Sequence, residues 1–182
     1  IFATEVVATP TKYEVTMKKV ELCTSSACTT TTLLAEKDGT FDIASASAGA
    51  DVGSWITGYA LEIGTTYTHI KATISSTFTI AGYTTNSDIS SDNCLTAATP
   101  NTASGHAQGP IVAGSSSTTG ADMSWIIPNK LNADNGSPYG DLSSSFSTNG
   151  ITKSNASSTF TWIGALSSSY TPTASSSPKI TI

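Results

Sequence analysis

The sequence predicts an all-β domain, a β-sandwich, and three observations predict it. Threonine, valine, isoleucine and aromatic residues fall in short alternating runs, and Gly, Ser, Asn and Pro separate those runs. No stretch of convincing length carries the 3.6-residue apolar period of a helix. At 182 residues the chain is long enough to bury a core of its own.

Residues 12–23, Lys-Tyr-Glu-Val-Thr-Met-Lys-Lys-Val-Glu-Leu-Cys, form the clearest strand. Tyr13, Val15 and Met17 alternate with Glu14, Thr16 and Lys18, and after the paired lysines the apolar phase moves to Val20 and Leu22. A phase slip inside one strand is the signature of a β-bulge. Residues 31–34 and 40–43 read as short strands on either side of Asp38-Gly39, a hairpin signal. Residues 44–53 are small and predict one helical turn at most, because two glycines interrupt them. An apolar pattern returns at 55–57 and 59–63. Gly64-Thr65-Thr66 then predicts a turn into the longest strand region, 67–83, which is either a hairpin or one long bent strand.

From 84 to 110 the texture changes to Asn, Ser, Asp, Thr, Ala and Gly, which predicts a long polar loop. Loops of that length in a compact domain are commonly functional or disordered. Strands are expected at 110–113, 123–127 and 158–163, with a second polar insertion over 128–155 between the last two. Residues 179–182 read as a terminal strand after Pro178. The expected organisation is an extended N-terminal strand, residues 1–10, followed by a single domain, 11–182.

Composition limits the function. Charged residues make up 12% of the chain, arginine is absent, and serine and threonine supply about a third of the residues. With a net charge of −5 the chain offers no basic groove for phosphates, so nucleic acid is not an expected partner. Anionic membrane surfaces are disfavoured for the same reason. No apolar run approaches the roughly 18 residues of a spanning helix, so no membrane span is expected.

Cys23 and Cys28 lie five residues apart directly after a strand, which suits a disulfide pinning a hairpin tip. Closing so short a loop stabilises by roughly 2 kcal/mol in the chain-entropy model. A metal site would need further ligands from Cys94, His69 and His106, at no recognised spacing. Cys94 is left either free or as an alternative partner for Cys23 or Cys28. Oxidised cysteines and a hydroxyl-rich surface favour an extracellular or cell-surface location.

No catalytic, cofactor-binding or metal-binding set emerges, and no enzyme is expected. His69 falls mid-strand, where packing is the expected role, and His106 falls in a polar loop. There is no nucleophile elbow. Glu62 and Asp42 are carboxylates that nothing pairs for glycoside chemistry. Asp88 and Asp92 depart from the calcium-loop pattern and lack its closing glutamate. Trp55, Trp125 and Trp162 each sit in an apolar run, which assigns them to the core rather than to a sugar-stacking platform. Asn135-Gly136-Ser137 and Asn155-Ala156-Ser157 are candidate glycosylation sequons.

What remains is the N-terminus. Residues 1–9 are apolar and β-prone, start at Ile1 rather than Met, and end at Pro10. The expectation is removal of a leader peptide, followed by burial of the new end in its own domain or in a neighbour. An apolar processed segment, then proline, then an all-β domain with few charges resembles secreted filament subunits of the donor-strand type. These are the chaperone–usher pilins and TasA/camelysin-like fibre proteins. The resemblance rests on residues 1–10 and the strand pattern of 12–83. Residues 12–74 are also similar to the transthyretin-like domains of bacterial surface proteins, which implies an Ig-like or transthyretin-like sandwich.

The resemblance implies a structural subunit of a pilus, fimbria or other extracellular filament. Its interface residues would be Ile1, Phe2, Ala3, Val6 and Val7, inserted into the next subunit to build a head-to-tail homopolymer. Burying four of these contributes roughly 6–12 kcal/mol gross, reduced by ordering. Val6 and Val7 face opposite sides of a strand, which suits one buried on both faces. The alternative is a monomeric carbohydrate-binding or cell-adhesion module that uses the polar segments 84–110 and 128–155 to contact surface glycans.

Overall fold

A computed structural model describes residues 8–46, 56, 60–85, 93–98, 111–127, 131 and 140–176, without the side chains of 111–115. The elements in order are β1 (Lys12–Cys23), β2 (Thr31–Asp42), a 3-10 turn (Ile43–Ser45), β3 (Tyr67–Ser75), β4 (Thr77–Ala81) and β5 (Tyr83–Thr85). There follow β6 (Asn93–Thr96), β7 (Ile111–Ser115), β8 (Met123–Ile126), α1 (Ser143–Thr148), β9 (Ile151–Thr152) and β10 (Thr159–Tyr170). The fold is all-β, as the sequence predicts. A seven-stranded sheet runs β8-β4-β1-β3-β10-β9, with β2 also paired to β1, and a second sheet runs β5-β6-β7.

β1 organises the large sheet. On one side it pairs along its length with β2; on the other its first residues pair with β4 and its later ones with β3, all antiparallel. The predicted bulge is present: Met17 faces Ile74 while Lys19 faces Thr73, so Lys18 is the extra residue. That insertion decides which side chains are buried. It puts Met17, Val20 and Leu22 opposite Ile74, Ala72 and Ile70, all on one face. Without the slip, Lys19 and Glu21 would turn into the core. β10 extends the same rows, with Phe160 beside Ile74, Trp162 beside Ala72 and Gly164 beside Ile70. Gly164 has no side chain because the Trp162 ring lies where its Cβ would stand.

The apolar face carries two adjoining clusters. Met17, Val20, Leu22, Leu34, Tyr67, Ile70 and Ala72 form one. Val15, Phe78, Ile127 and Phe160 form the other, with Tyr13 and Trp125 stacked or tilted against Phe78. Trp125 and Trp162 are therefore partly buried core residues, as expected; Trp55 lies outside the described residues.

Three local expectations are corrected. Asp38-Gly39 does not turn the chain, because β2 runs unbroken through it, with Gly39 opposite Met17 and Glu36 opposite Lys19. The residues that suggest a turn supply a bulge against the bulge of β1, where Asp38 meets Lys18 at 2.6 Å. The hairpin turn lies instead at residues 24–30, between β1 and β2. Segment 84–110 is not loop throughout: its first residues complete β5, and Asn93–Thr96 forms the central strand of the small sheet. Segment 128–155 likewise contains α1 and β9. Of the two readings of 67–83, the bent strand holds over 67–81, while Tyr83 begins β5 in the small sheet. β3 and β4 both pair with β1 and meet at the buried Ser76, whose N–H donates to Ser158 O and whose carbonyl accepts from Ile127 N–H.

Candidate functional site

Two features of the described surface have the geometry to act on a partner. Both reach the end of the sheet that carries the β1–β2 turn, on opposite sides of β1.

The first is the outer edge of β2. Among the described residues, β2 pairs only with β1, so a 12-residue strand presents one side of its backbone unpaired. Its centre is guarded, since Glu36, Lys37 and Asp38 are exposed there, and charge on an edge deters pairing. The five residues before them, Thr31 to Ala35, carry no charge, and Leu33 in their middle is 49% exposed. This stretch is held firmly from behind. The Sγ atoms of Cys23 and Cys28 are joined at 2.13 Å, Thr24 N–H donates to Thr30 O, and the hydroxyls of Thr32 and Tyr67 share a hydrogen bond of 2.8 Å.

Behind Leu33, on the solvent face, runs a cross-strand row: Leu33, Glu21, Lys71 and Ile163. Glu21 is buried, and each of its carboxylate oxygens is met by a cation: Lys19 Nζ lies 3.3 Å from Oε1 and Lys71 Nζ lies 3.7 Å from Oε2. The Thr31 hydroxyl also donates to Oε1, at 2.9 Å. Burial pushes this carboxyl's pKa up, but the Thr31 hydrogen bond and the two lysines outweigh it and hold it below the ordinary value.

The second feature is an open cleft of about 510 Å³ on the same end of the molecule. Ser26 from the cystine loop and His69 from β3 form part of its wall. The segment from the end of α1 through β9 forms another part, and Ile163 and Ala165 of β10 complete the lining. Thr152 brings a hydroxyl; the Thr148 hydroxyl and the Asn149 Nδ2 are already donated to Ser144 O and Ser145 O, at 2.9 and 2.7 Å. The register explains the grouping, because His69 stands between Cys23 and Ala165 in the sheet, and Trp162 and Thr161 carry Ile151 and Thr152 at its side. The His69 Nδ1 shares a 2.8 Å hydrogen bond with the Thr68 hydroxyl. His69 is therefore a sheet residue, as its position predicts, and a cleft residue as well.

The remaining predicted positions sort as follows. Ile1, Phe2, Ala3, Val6 and Val7, with Asn135, His106, Asp88, Asp92 and strand 179–182, lie outside the described residues. Asn155 is exposed in a turn beside Ala156 (φ 60°), and its Oδ1 accepts from Leu131 N–H at 2.9 Å. Asp42 is engaged structurally: its Oδ1 accepts from Tyr13 N–H at 2.9 Å and from Ala44 N–H at 3.1 Å, which caps the 3-10 turn. Glu62 is exposed in the turn before Gly64. Cys94 is a free thiol in β6, opposite Thr84. Among the described residues, no group of three or more His, Cys, Asp or Glu side chains is placed to hold a metal. No described helix is long and apolar enough to cross a membrane.

Lys12 meets Asp122 at 2.7 Å and Glu14 at 3.3 Å, a trio that could in principle condense to an amide. All three side chains are substantially solvated, and the Lys12 pKa is raised by its hydrogen bond to Asp122. A protonated amine is not a nucleophile, so the contact is an ion pair that fastens the approach to β8 onto β1.

No protein-family model, curated protein or solved structure matches the chain.

Proposed function

We propose that this chain is the structural subunit of an extracellular filament, in which the N-terminal segment of one subunit pairs with the β2 edge of the next. The observation that supports this reading is the uncharged stretch of β2 from Thr31 to Ala35, whose outer side has no partner among the described residues and whose Leu33 is exposed. A strand laid along that edge gains main-chain hydrogen bonds for affinity and side-chain contacts for register. Residues 1–9 have the matching character: Ile1, Phe2, Ala3, Val6 and Val7 are apolar, and Glu5 is the single charge.

Donor and acceptor are different surfaces, so the contact is heterologous and propagates instead of closing a dimer. The serine- and threonine-rich surface suits a polymer kept soluble by hydroxyls rather than by charge. Asn135 and Asn155 are its candidate sugar acceptors.

The test is deletion of residues 1–9 followed by negative-stain microscopy. The shortened chain is expected to remain folded by circular dichroism and to form no filaments. Filaments from the shortened chain, or a monodisperse monomer from the intact one, would overturn the proposal.

A further inference from the structure

We propose that the cleft between the cystine loop and the α1–β9 turn binds a neutral carbohydrate of one to three sugar units. The site is separate from the β2 edge, and the proposal does not depend on filament formation.

The lining selects the ligand class. Among the described lining residues there is no Asp, Glu or Lys. Lys71, beside Ile163 on the same face, is already paired with Glu21 at 3.7 Å, and Glu21 with Lys19 at 3.3 Å, so a charged ligand would lose hydration without an unpaired partner among these groups. Ser26, Thr152 and His69 offer neutral donors and acceptors in several directions, and Asn149, whose Nδ2 donates to Ser145 O at 2.7 Å, offers its Oδ1, which is the requirement of a polyhydroxylated ligand. Ile163 and Ala165 offer apolar surface of the kind that accepts the C–H face of a sugar ring. The Thr68 hydroxyl engages His69 Nδ1, leaving Nε2 as the ring nitrogen available to a ligand. The volume, about 510 Å³, falls within the roughly 300–1,000 Å³ of small-molecule sites.

The walls are set before any ligand arrives. The Cys23–Cys28 bond pins the loop that carries Ser26. Gly150 holds φ at 72°, and a Cβ there would collide with the Ile163 carbonyl, so this position is reserved for glycine. The Gly150 carbonyl accepts from Ile163 N–H at 2.9 Å, and Asn149 N–H closes the end of α1 on Ser145 and Phe146. Fixed walls reduce the entropy lost on binding.

The experiment is a titration of the isotope-labelled full chain with glucose, galactose, mannose, N-acetylglucosamine and their disaccharides, followed by amide chemical shifts, read in solution where the chain is monomeric and by magic-angle-spinning NMR where it is polymerised. At least one is expected to shift the amides of Asn149, Gly150 and Thr152 saturably. His69→Ala and Ser26→Arg are each expected to weaken that binding about fivefold or more, the loss of one net hydrogen bond or its equivalent. Ser26 is exposed in its loop, so the arginine narrows the cleft mouth without entering the core, and the same spectra report whether each variant is folded. The proposal fails if no sugar gives saturable shifts up to about 50 mM. It fails equally if binding survives either substitution unchanged, or if glucose 6-phosphate or glucosamine binds as tightly as the neutral sugars.

Discussion

β2 and β3 lie on opposite sides of β1, and the contrast between them shows how this sheet separates stability from association. Both are threonine-rich, and both are antiparallel to β1 over the segment that ends in Cys23. β3 is paired on both sides, by β1 and β10, and buries Tyr67, Ile70 and Ala72 almost completely. β2 is paired on one side among the described residues and buries Leu34 alone below 9% exposure. The difference comes from neighbours rather than composition. A His-Ile-Lys-Ala pattern with a strand on either side becomes core, whereas a Thr-Thr-Leu-Leu pattern with one neighbour becomes an edge.

The largest expected effect lies on the β3 side. Ile70 is 5% exposed and sits between Leu22 and Gly164 in the inner row. Gly164 cannot move a side chain into the space that truncation leaves. Ile70→Ala is expected to destabilise the fold by about 2–5 kcal/mol, measured by denaturant unfolding of the monomer. A loss below about 1 kcal/mol would show that the inner row is not the stabilising core and would remove the contrast with β2.

An intermediate effect is expected where the two flanks meet, at Glu21. Its carboxylate accepts from Thr31 of β2 and pairs with Lys71 of β3. Its pKa in the folded protein lies below the ordinary value near 4.5, so it is the folded state that favours the ionised form. Stability from this group is therefore present above about pH 4.5 and is given up as pH falls through the lowered pKa. Glu21→Gln is expected to destabilise by about 1–3 kcal/mol at pH 7, with the gap to the wild type narrowing as the pH drops below 4. Melting temperatures of both proteins from pH 7 to pH 3 measure it. Parallel curves would mean that Glu21 does not couple the flanks through its charge.

The pattern that makes β3 core and β2 edge was partly legible beforehand. Val15, Met17, Val20 and Leu22 show the bulge directly, because one extra residue in a period of two is visible in a single strand. Asp38-Gly39 reads as a turn, since the residues that favour turns also favour bulges, and only the partner strand distinguishes the two. β6 was hidden because Asn93-Cys94-Leu95-Thr96 carries little β-propensity of its own; it is a strand because β5 and β7 flank it. The cleft was illegible for a different reason. Ser26, His69, Asn149 and Ile163 converge from four separate segments, so no spacing along the chain announces the site. The unpaired side of β2 is equally invisible in sequence, because whether a strand has a second neighbour is a property of topology alone.

The smallest effect on stability belongs to the residue on which the filament reading bears most. Leu33 is half exposed, so replacing it removes little buried surface, and Leu33→Lys is expected to change monomer stability by no more than about 0.5 kcal/mol. The new lysine would stand beside Glu21, Lys19 and Lys71 on the same face, which leaves the fold intact while ending the uncharged stretch of Thr31 to Ala35. An incoming strand would then have to bury or displace a charge, the device by which sheet edges are kept from pairing. Filaments are therefore expected to disappear from the full chain, scored by sedimentation and negative-stain microscopy, while in the chain lacking residues 1–9, where no assembly adds to stability, the same substitution leaves the melting temperature unchanged. If Leu33→Lys polymerises as the wild type does, β2 is not the acceptor, and any donated strand must seat elsewhere. If it lowers the melting temperature of the shortened chain by several degrees, the edge is part of the core after all, and the two flanks of β1 are alike.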